Sequence, residues 1–209
     1  MRVGGVILCG GNSSRMGQPK AWLPIAGMPM LCQVAQTLGE VVQPIVVVSA
    51  RGQTLPPLPA DVIIAHDEQP DRGPMQGLAM GLAIIACHVD TAFVTSCDVP
   101  MLRAAFVRRM IELADGFTLC LPETADGMHP LAGIYSVSLL PEIHAMLARD
   151  QLRLLDLLDH GHTRRVRESE LRDVDPDLVS LRNINTPEEY AALVREIITP
   201  YRDKPATFA

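Results

Sequence analysis

Two hydrophobic rhythms alternate along this chain. Short β-branched runs, such as "VGGVIL" (Val3–Leu8) and "IVVVS" (Ile45–Ser49), read as strands, and longer stretches with helical spacing lie between them. Further strands are predicted at Val62–Ala65, Ala92–Ser96, Thr118–Leu121 and Leu131–Tyr135, with a weaker one at Arg164–Arg167. Helices are predicted at Met30–Leu38, Met75–Ala86, Ala104–Ala114, Leu139–Leu147, Leu152–Leu158 and Glu188–Ile198. Strands alternating with helices are the rhythm of βαβ units. The expected fold class is therefore α/β: one Rossmann-like domain over residues 1–198, a mostly parallel sheet with helices on both faces, then a C-terminal tail, 199–209. The Pro-rich "TLPPLP" (Thr54–Pro59) reads as a surface connection inside that domain.

Composition narrows the picture. A length of 209 residues suits one domain, and 48% apolar residues with only 4% aromatics imply an aliphatic core. No apolar run approaches the ~18 residues of a spanning helix, and the N-terminal run is too brief for a signal peptide. Five cysteines (Cys9, Cys32, Cys87, Cys97, Cys120) are widely spaced without a C-x-x-C pair. That pattern disfavours a disulfide framework or a zinc knuckle and fits a reducing cytoplasm, with most of the thiols buried as small apolar groups. A net charge of −6 disfavours nucleic acid or an anionic membrane as partner, so any anion site must be locally positive. Of the 18 cationic residues only Lys20 and Lys204 are lysines, and Asn12, Asn183 and Asn185 are the only asparagines. Residues so scarce are less readily dismissed as filler.

In an open α/β sheet, ligands bind beyond the carboxyl ends of the strands. Here the polar chemistry collects just after Leu8, Ser49, Ala65 and Ser96. After Leu8 the chain reads Cys9, Gly10, Gly11, then "NSSRMGQPK" to Lys20. Paired glycines let backbone amides approach an anion, while Arg15 offers a planar fork of donors and Lys20 a compact charge, a set suited to a triphosphate. A Walker A loop fails on spacing, because Gln18 and Pro19 separate Gly17 from the lysine, and the G-x-G-x-x-G fingerprint is absent. Beyond the strand "TAFVTS", Asp98 points into the same crevice and suits Mg²⁺, which takes one or two carboxylates plus phosphate oxygens. The rival reading, Asp98 as a helix cap, is strained by a helix that begins several residues later.

The segment "LCGGNSSRMGQPK" resembles the signature L-x-G-G-x-S-S-R-M-G-x-x-K of the nucleotidyltransferase superfamily, and within it the molybdenum cofactor guanylyltransferases (the MobA-like family). The resemblance runs from Val3 to about Tyr190 through "GP-x-x-G", "C-D-x-P" and "N-x-N-T-P". It implies that Leu8, Cys9, Gly10 and Gly11 meet the nucleotide, that Arg15 and Lys20 grip its phosphates, and that Asp98 holds the metal, with Asn185 as a further ligand. Asp67 and Gly77 are implied nucleotide contacts. Ser49 stands where the family often has a base-reading asparagine, and either reads the base or merely closes its strand. His66 is read as an ordinary turn histidine. Pro19 replaces a common aspartate and stiffens the loop. His129 in "DGMHP" either faces the acceptor or occupies a turn, and Asn183 and Asn185 face the acceptor side. Thr186, Pro187 and the two glutamates after them form a helix start. The implied reaction moves GMP from GTP to molybdopterin-bound molybdenum, releasing pyrophosphate, in the cytoplasm and alongside other proteins of cofactor biosynthesis or molybdoenzyme maturation. The competing expectations are a molybdopterin cytidylyltransferase or sugar-phosphate nucleotidyltransferase, a non-catalytic nucleotide-binding module, and an NAD-dependent enzyme lacking its glycine fingerprint.

Overall fold

A computed structural model describes residues 2–10, 18–67, 69 and 72–202, the last five of these by backbone alone. In chain order the strands are β1 (Val3–Leu8), β2 (Pro24–Ile25), β3 (Met28–Pro29), β4 (Ile45–Ala50), β5 (Val62–Asp67), β6 (Thr91–Ser96), β7 (Leu119–Thr124), β8 (Gly127–Met128), β9 (Ala132–Ser136) and β10 (Thr163–Arg167). The helices are α1 (Met30–Gly39), α2 (Gly73–Ile85), α3 (Ala104–Leu113), α4 (Leu140–Ala148) and α5 (Pro187–Arg202).

The main sheet runs in the order β10-β7-β9-β6-β1-β4-β5, with β8 added against β7. β1 pairs in parallel with β4 on one side and β6 on the other, and β4 pairs in parallel with β5. β9 is antiparallel to both β6 and β7, which makes the sheet mixed at that end. Alternation along each strand assigns the two faces. Ile7, Val47, Phe93 and Val166 pack with Leu31, Leu38, Phe106 and Met110 of α1 and α3. Val6, Val48, Val94 and Tyr135 pack with Met75, Leu82, Ile143 and Met146 of α2 and α4. Burial on both faces is why the central strands read as continuous apolar runs.

A smaller cluster of Leu23, Ile25, Met30, Ile184 and Leu193 sits where the β2–β3 hairpin meets α5. The Tyr190 hydroxyl adds a hydrogen bond to the Pro24 carbonyl at 2.7 Å. Together these contacts fasten the C-terminal part of the chain beside the turn that carries Lys20.

Three expectations change. The predicted helix Leu152–Leu158 is a 3₁₀ helix over Leu154–Asp159, and its buried residues Leu154 and Leu157 are three apart, the 3₁₀ repeat rather than the α repeat. His66 is no turn residue; it lies inside β5. Helix α5 continues past Ile198 to Arg202, and 203–209 lie outside the described residues. No helix among the described residues is long and apolar enough to cross a membrane.

The chain leaves β1 for β4 and β5 on one side and returns to β6 on the other. Strand order therefore reverses between β1 and β6, the place where open α/β sheets leave a crevice for a ligand.

Candidate active site

Lys20 follows Pro19, whose extended backbone delivers the chain into a single 3₁₀ turn, Lys20–Trp22. Its ammonium donates to Asp98 Oδ2 at 2.9 Å and to Asn185 Oδ1 at 2.8 Å. The Lys20 and Asp98 side chains keep only 17% and 14% of their exposure, so this ion pair is largely shielded from water.

Asp98 stands two residues beyond the end of β6. Its Oδ1 accepts from the Ser96 hydroxyl at 2.5 Å and from the Asn183 carboxamide at 2.9 Å. Its backbone carbonyl accepts from Ile184 N at 2.9 Å. The helix-cap reading fails, since α3 starts after Arg103, whose amide is taken by the Ser180 hydroxyl at 3.0 Å.

The Asn183–Asn185 segment lies outside any helix or strand, and exposure alternates along it. Ile184 is buried in the small cluster, and the two exposed asparagines turn toward Asp98 and Lys20. Glu189 fixes the second asparagine: its Oε2 accepts from Asn185 N at 2.6 Å and Thr186 N at 3.1 Å, while Thr186 Oγ1 accepts from Glu189 N at 3.2 Å. This is a capping box.

The other predicted positions divide. Gly11 and Arg15 lie outside the described residues. Leu8 and Cys9 are buried at the end of β1, with Cys9 N donating to Val48 O at 2.7 Å, and Gly10 is exposed at the lip of the crevice. Gly77 faces the sheet: a Cβ there would lie 3.2 Å from Leu8 Cδ2, so its place is explained by packing of α2 on β1. Ser49 is fully buried, its hydroxyl 2.8 Å from His66 Nδ1 and 3.3 Å from the Ala65 carbonyl. Those bonds tie β4 to β5. Asp67 Oδ1 accepts from Gln69 N at 2.9 Å in a tight turn at the end of β5.

His129 sits at the carboxyl end of β7, on the same edge of the sheet as Asp98. Its Nε2 is 2.9 Å from Thr124 Oγ1 and its amide donates to Pro122 O at 3.0 Å. Burial lowers its pKa, against the opposing pull of Asp126 and Glu168. Among the described residues no hydrogen bond joins it to the Lys20–Asp98 cluster.

The MobA-like NTP transferase domain matches residues 5–166 of this sequence. The chain belongs to that family. A molybdenum cofactor guanylyltransferase from Desulfosudis oleivorans is 35% identical over 189 residues, covering 90% of this chain and 92% of that one. A probable molybdenum cofactor guanylyltransferase from Mycobacterium marinum is 32% identical over 195 residues, covering 91% and 92%. The crystal structure of molybdopterin-guanine dinucleotide biosynthesis protein A from Archaeoglobus fulgidus superimposes with a TM-score of 0.76 at 20% identity, covering 96% of this chain and all of that one. At that identity the superposition speaks for the fold.

As a MobA-like transferase, the protein is a nucleotidyltransferase whose polar cluster lies at the β1/β6 reversal. Reading the sequence missed two members of that cluster. Ser96 was legible in principle, since it closes β6 only two residues before Asp98 and so lies near its carboxylate. Glu189 was seen only as a first-turn acid, although Thr186 three residues before it spells a capping box.

Proposed function

We propose that this protein transfers GMP from GTP to molybdopterin-bound molybdenum cofactor and releases pyrophosphate. The observation that carries the proposal is the Lys20–Asp98–Asn185 cluster at the strand-order reversal, in a chain whose relatives carry that activity in their names. A terminal phosphate on the acceptor attacks the α-phosphorus of GTP, the P–O bond to the β-phosphate breaks, and pyrophosphate leaves. No covalent enzyme intermediate is needed, so catalysis reduces to positioning and charge neutralisation.

Lys20 and Arg15 offset charge on the β- and γ-phosphates as the leaving group forms, and the amides after Leu8 cradle them. Asp98 Oδ2 and Asn185 Oδ1 both point at a cation already, the Lys20 ammonium. One carboxylate and one carboxamide oxygen fit Mg²⁺, a hard ion that completes its shell with water and phosphate oxygens. Among the described residues no three His, Cys, Asp or Glu side chains gather into a metal cage, so an ion here would draw much of its shell from substrate and water. Bound there, Mg²⁺ supplies charge neutralisation on the triphosphate. Asn183 holds the Asp98 carboxylate in orientation, and His129 faces the acceptor at the end of β7. The reaction is placed in the cytoplasm.

Pyrophosphate release with molybdenum cofactor as acceptor, compared for GTP and CTP in Mg²⁺, tests the reading. Turnover with GTP is expected. A preference for CTP would convert the protein to a cytidylyltransferase, and nucleotide binding without turnover would make it a non-catalytic module.

A further inference from the structure

Beneath the phosphate crevice two cysteines meet. Leu8 of β1 lies opposite Ser96 of β6, and the parallel register carries on one residue further, with Cys97 N donating to Leu8 O at 3.1 Å. Cys9 and Cys97 are therefore direct cross-strand neighbours. Both side chains enter the buried cluster on the α1/α3 face, where Cys9 Sγ accepts from Gln53 Nε2 at 3.6 Å. Neighbouring strands lie about 4.8 Å apart, inside the Cα separation of about 4.4–6.8 Å that a disulfide accepts. Neither Cys32 nor Cys87 competes: their thiols donate to the backbone carbonyls of Pro57 and Ile84.

We propose that Cys9 and Cys97 form an oxidation site, a thiol pair that hydrogen peroxide closes into a disulfide and so disables the crevice above it. The sulfur of Cys97, the more exposed residue of the two at 8% against 3% for Cys9, attacks one peroxide oxygen. The O–O bond breaks, giving a sulfenic acid and, with one proton, water. The Cys9 sulfur then attacks the sulfenic sulfur, the S–S bond forms, and the oxygen leaves as a second water. Two thiols lose two electrons and peroxide gains them. Both residues are buried, so peroxide reaches them slowly and closure answers sustained rather than brief exposure.

The consequence comes from position. A disulfide brings the sulfurs to about 2.05 Å, closer than two unbonded thiols can stand. Closing that gap draws together the chain just before Gly10 and the chain just before Asp98, and Asp98 shifts against Lys20. The loss of nucleotide binding rests on the function proposed above; the cross-link itself does not.

The test uses the full chain carrying Cys32→Ser and Cys87→Ser, incubated with peroxide, digested without reductant and mapped by mass. A Cys9–Cys97 linked peptide about 2 Da lighter than its two thiol halves is expected, together with loss of most GTP binding, restored by dithiothreitol. The same chain with Cys97→Ala should form no link and keep its GTP binding through peroxide treatment. Absence of the linked peptide overturns the proposal, as does a linked protein that binds GTP like the reduced one. Should the reduced protein itself bind no nucleotide, the proposed function fails while the peptide map still decides the oxidation site.

Discussion

Lys20 and Asp98 meet at 2.9 Å although 78 residues separate them in the chain. The pair forms across the β1/β6 reversal, and each side chain arrives there by a different route: one from the turn after the first loop, one from the end of β6. Both are largely buried, so each is held by the other and by neutral donors and acceptors around them.

That mutual dependence sets the first prediction. Lys20→Ala and Asp98→Asn should each lower kcat by roughly two powers of ten, the scale of one lost charge contact in a preorganised site. Steady-state pyrophosphate release measures it. Near-normal turnover in either variant would remove both residues from the chemistry.

Glu189 offers a finer test. Its carboxylate holds the Asn185 and Thr186 amides, so Glu189→Ala should cost about 1 kcal/mol of stability through the lost cap. Released from that anchor, Asn185 should also meet Lys20 less often, lowering turnover beyond what the stability loss explains. Glu189→Gln, which keeps one acceptor oxygen, should restore most of both. Equal loss of activity in the two variants would show that Asn185 does not depend on the cap.

The order of the main elements was legible because strands such as β1, β4 and β5 are rich in β-branched residues and helices such as α1 and α3 repeat apolar residues at helical spacing, whereas the two-residue strands β2, β3 and β8 carry no such pattern. Direction was not legible. Nothing in "LAGIYS" reveals that β9 runs antiparallel to β6, since side-chain alternation is the same either way. Lys20 and Asp98 stood out because few residue types suit a triphosphate and its metal and because this chain uses lysine sparingly, whereas Asn185 was marked by resemblance to the family's N-x-N-T-P segment. Ser49 and Gly77 were harder, because a serine at a strand end and a glycine on a helix serve packing as readily as binding. The structure finds both making internal contacts. That Cys9 faces Cys97 depends on which strands are neighbours, which a sequence states only through its fold.

Two glycines one turn apart on α2 should respond differently to the same substitution. A Cβ at Gly81 would lie 2.4 Å from Val6 Cγ1, so Gly81→Ala overpacks the α2–β1 interface and should cost about 1–3 kcal/mol. At Gly77 the nearest atom is Leu8 Cδ2 at 3.2 Å, the end of a side chain that can yield. There the gain in helix propensity, about 1 kcal/mol, should leave stability near neutral, while the displaced Leu8 disturbs the loop that follows it. Urea midpoints and GTP titrations on both variants separate the effects. A Gly77→Ala protein with unaltered GTP affinity would show that Leu8 does not transmit packing to the crevice.

His129 makes a prediction about acid. Burial lowers its pKa below the ordinary value of 6.5, although Asp126 and Glu168 pull the other way. The unfolded chain therefore takes up this proton first as pH falls. Between 6.5 and the lowered folded value, falling pH should destabilise the protein, and the lost stability should return on raising the pH. Glu168 and Glu170 act lower down: hydrogen bonds from the Ala125 and Arg167 amides hold their pKa values below 4.5, so the stability they add is lost only as the pH falls past that range. The melting temperature should thus decline in two stages, and His129→Gln should flatten the upper one alone. An upper stage unchanged in that variant would assign it to another group.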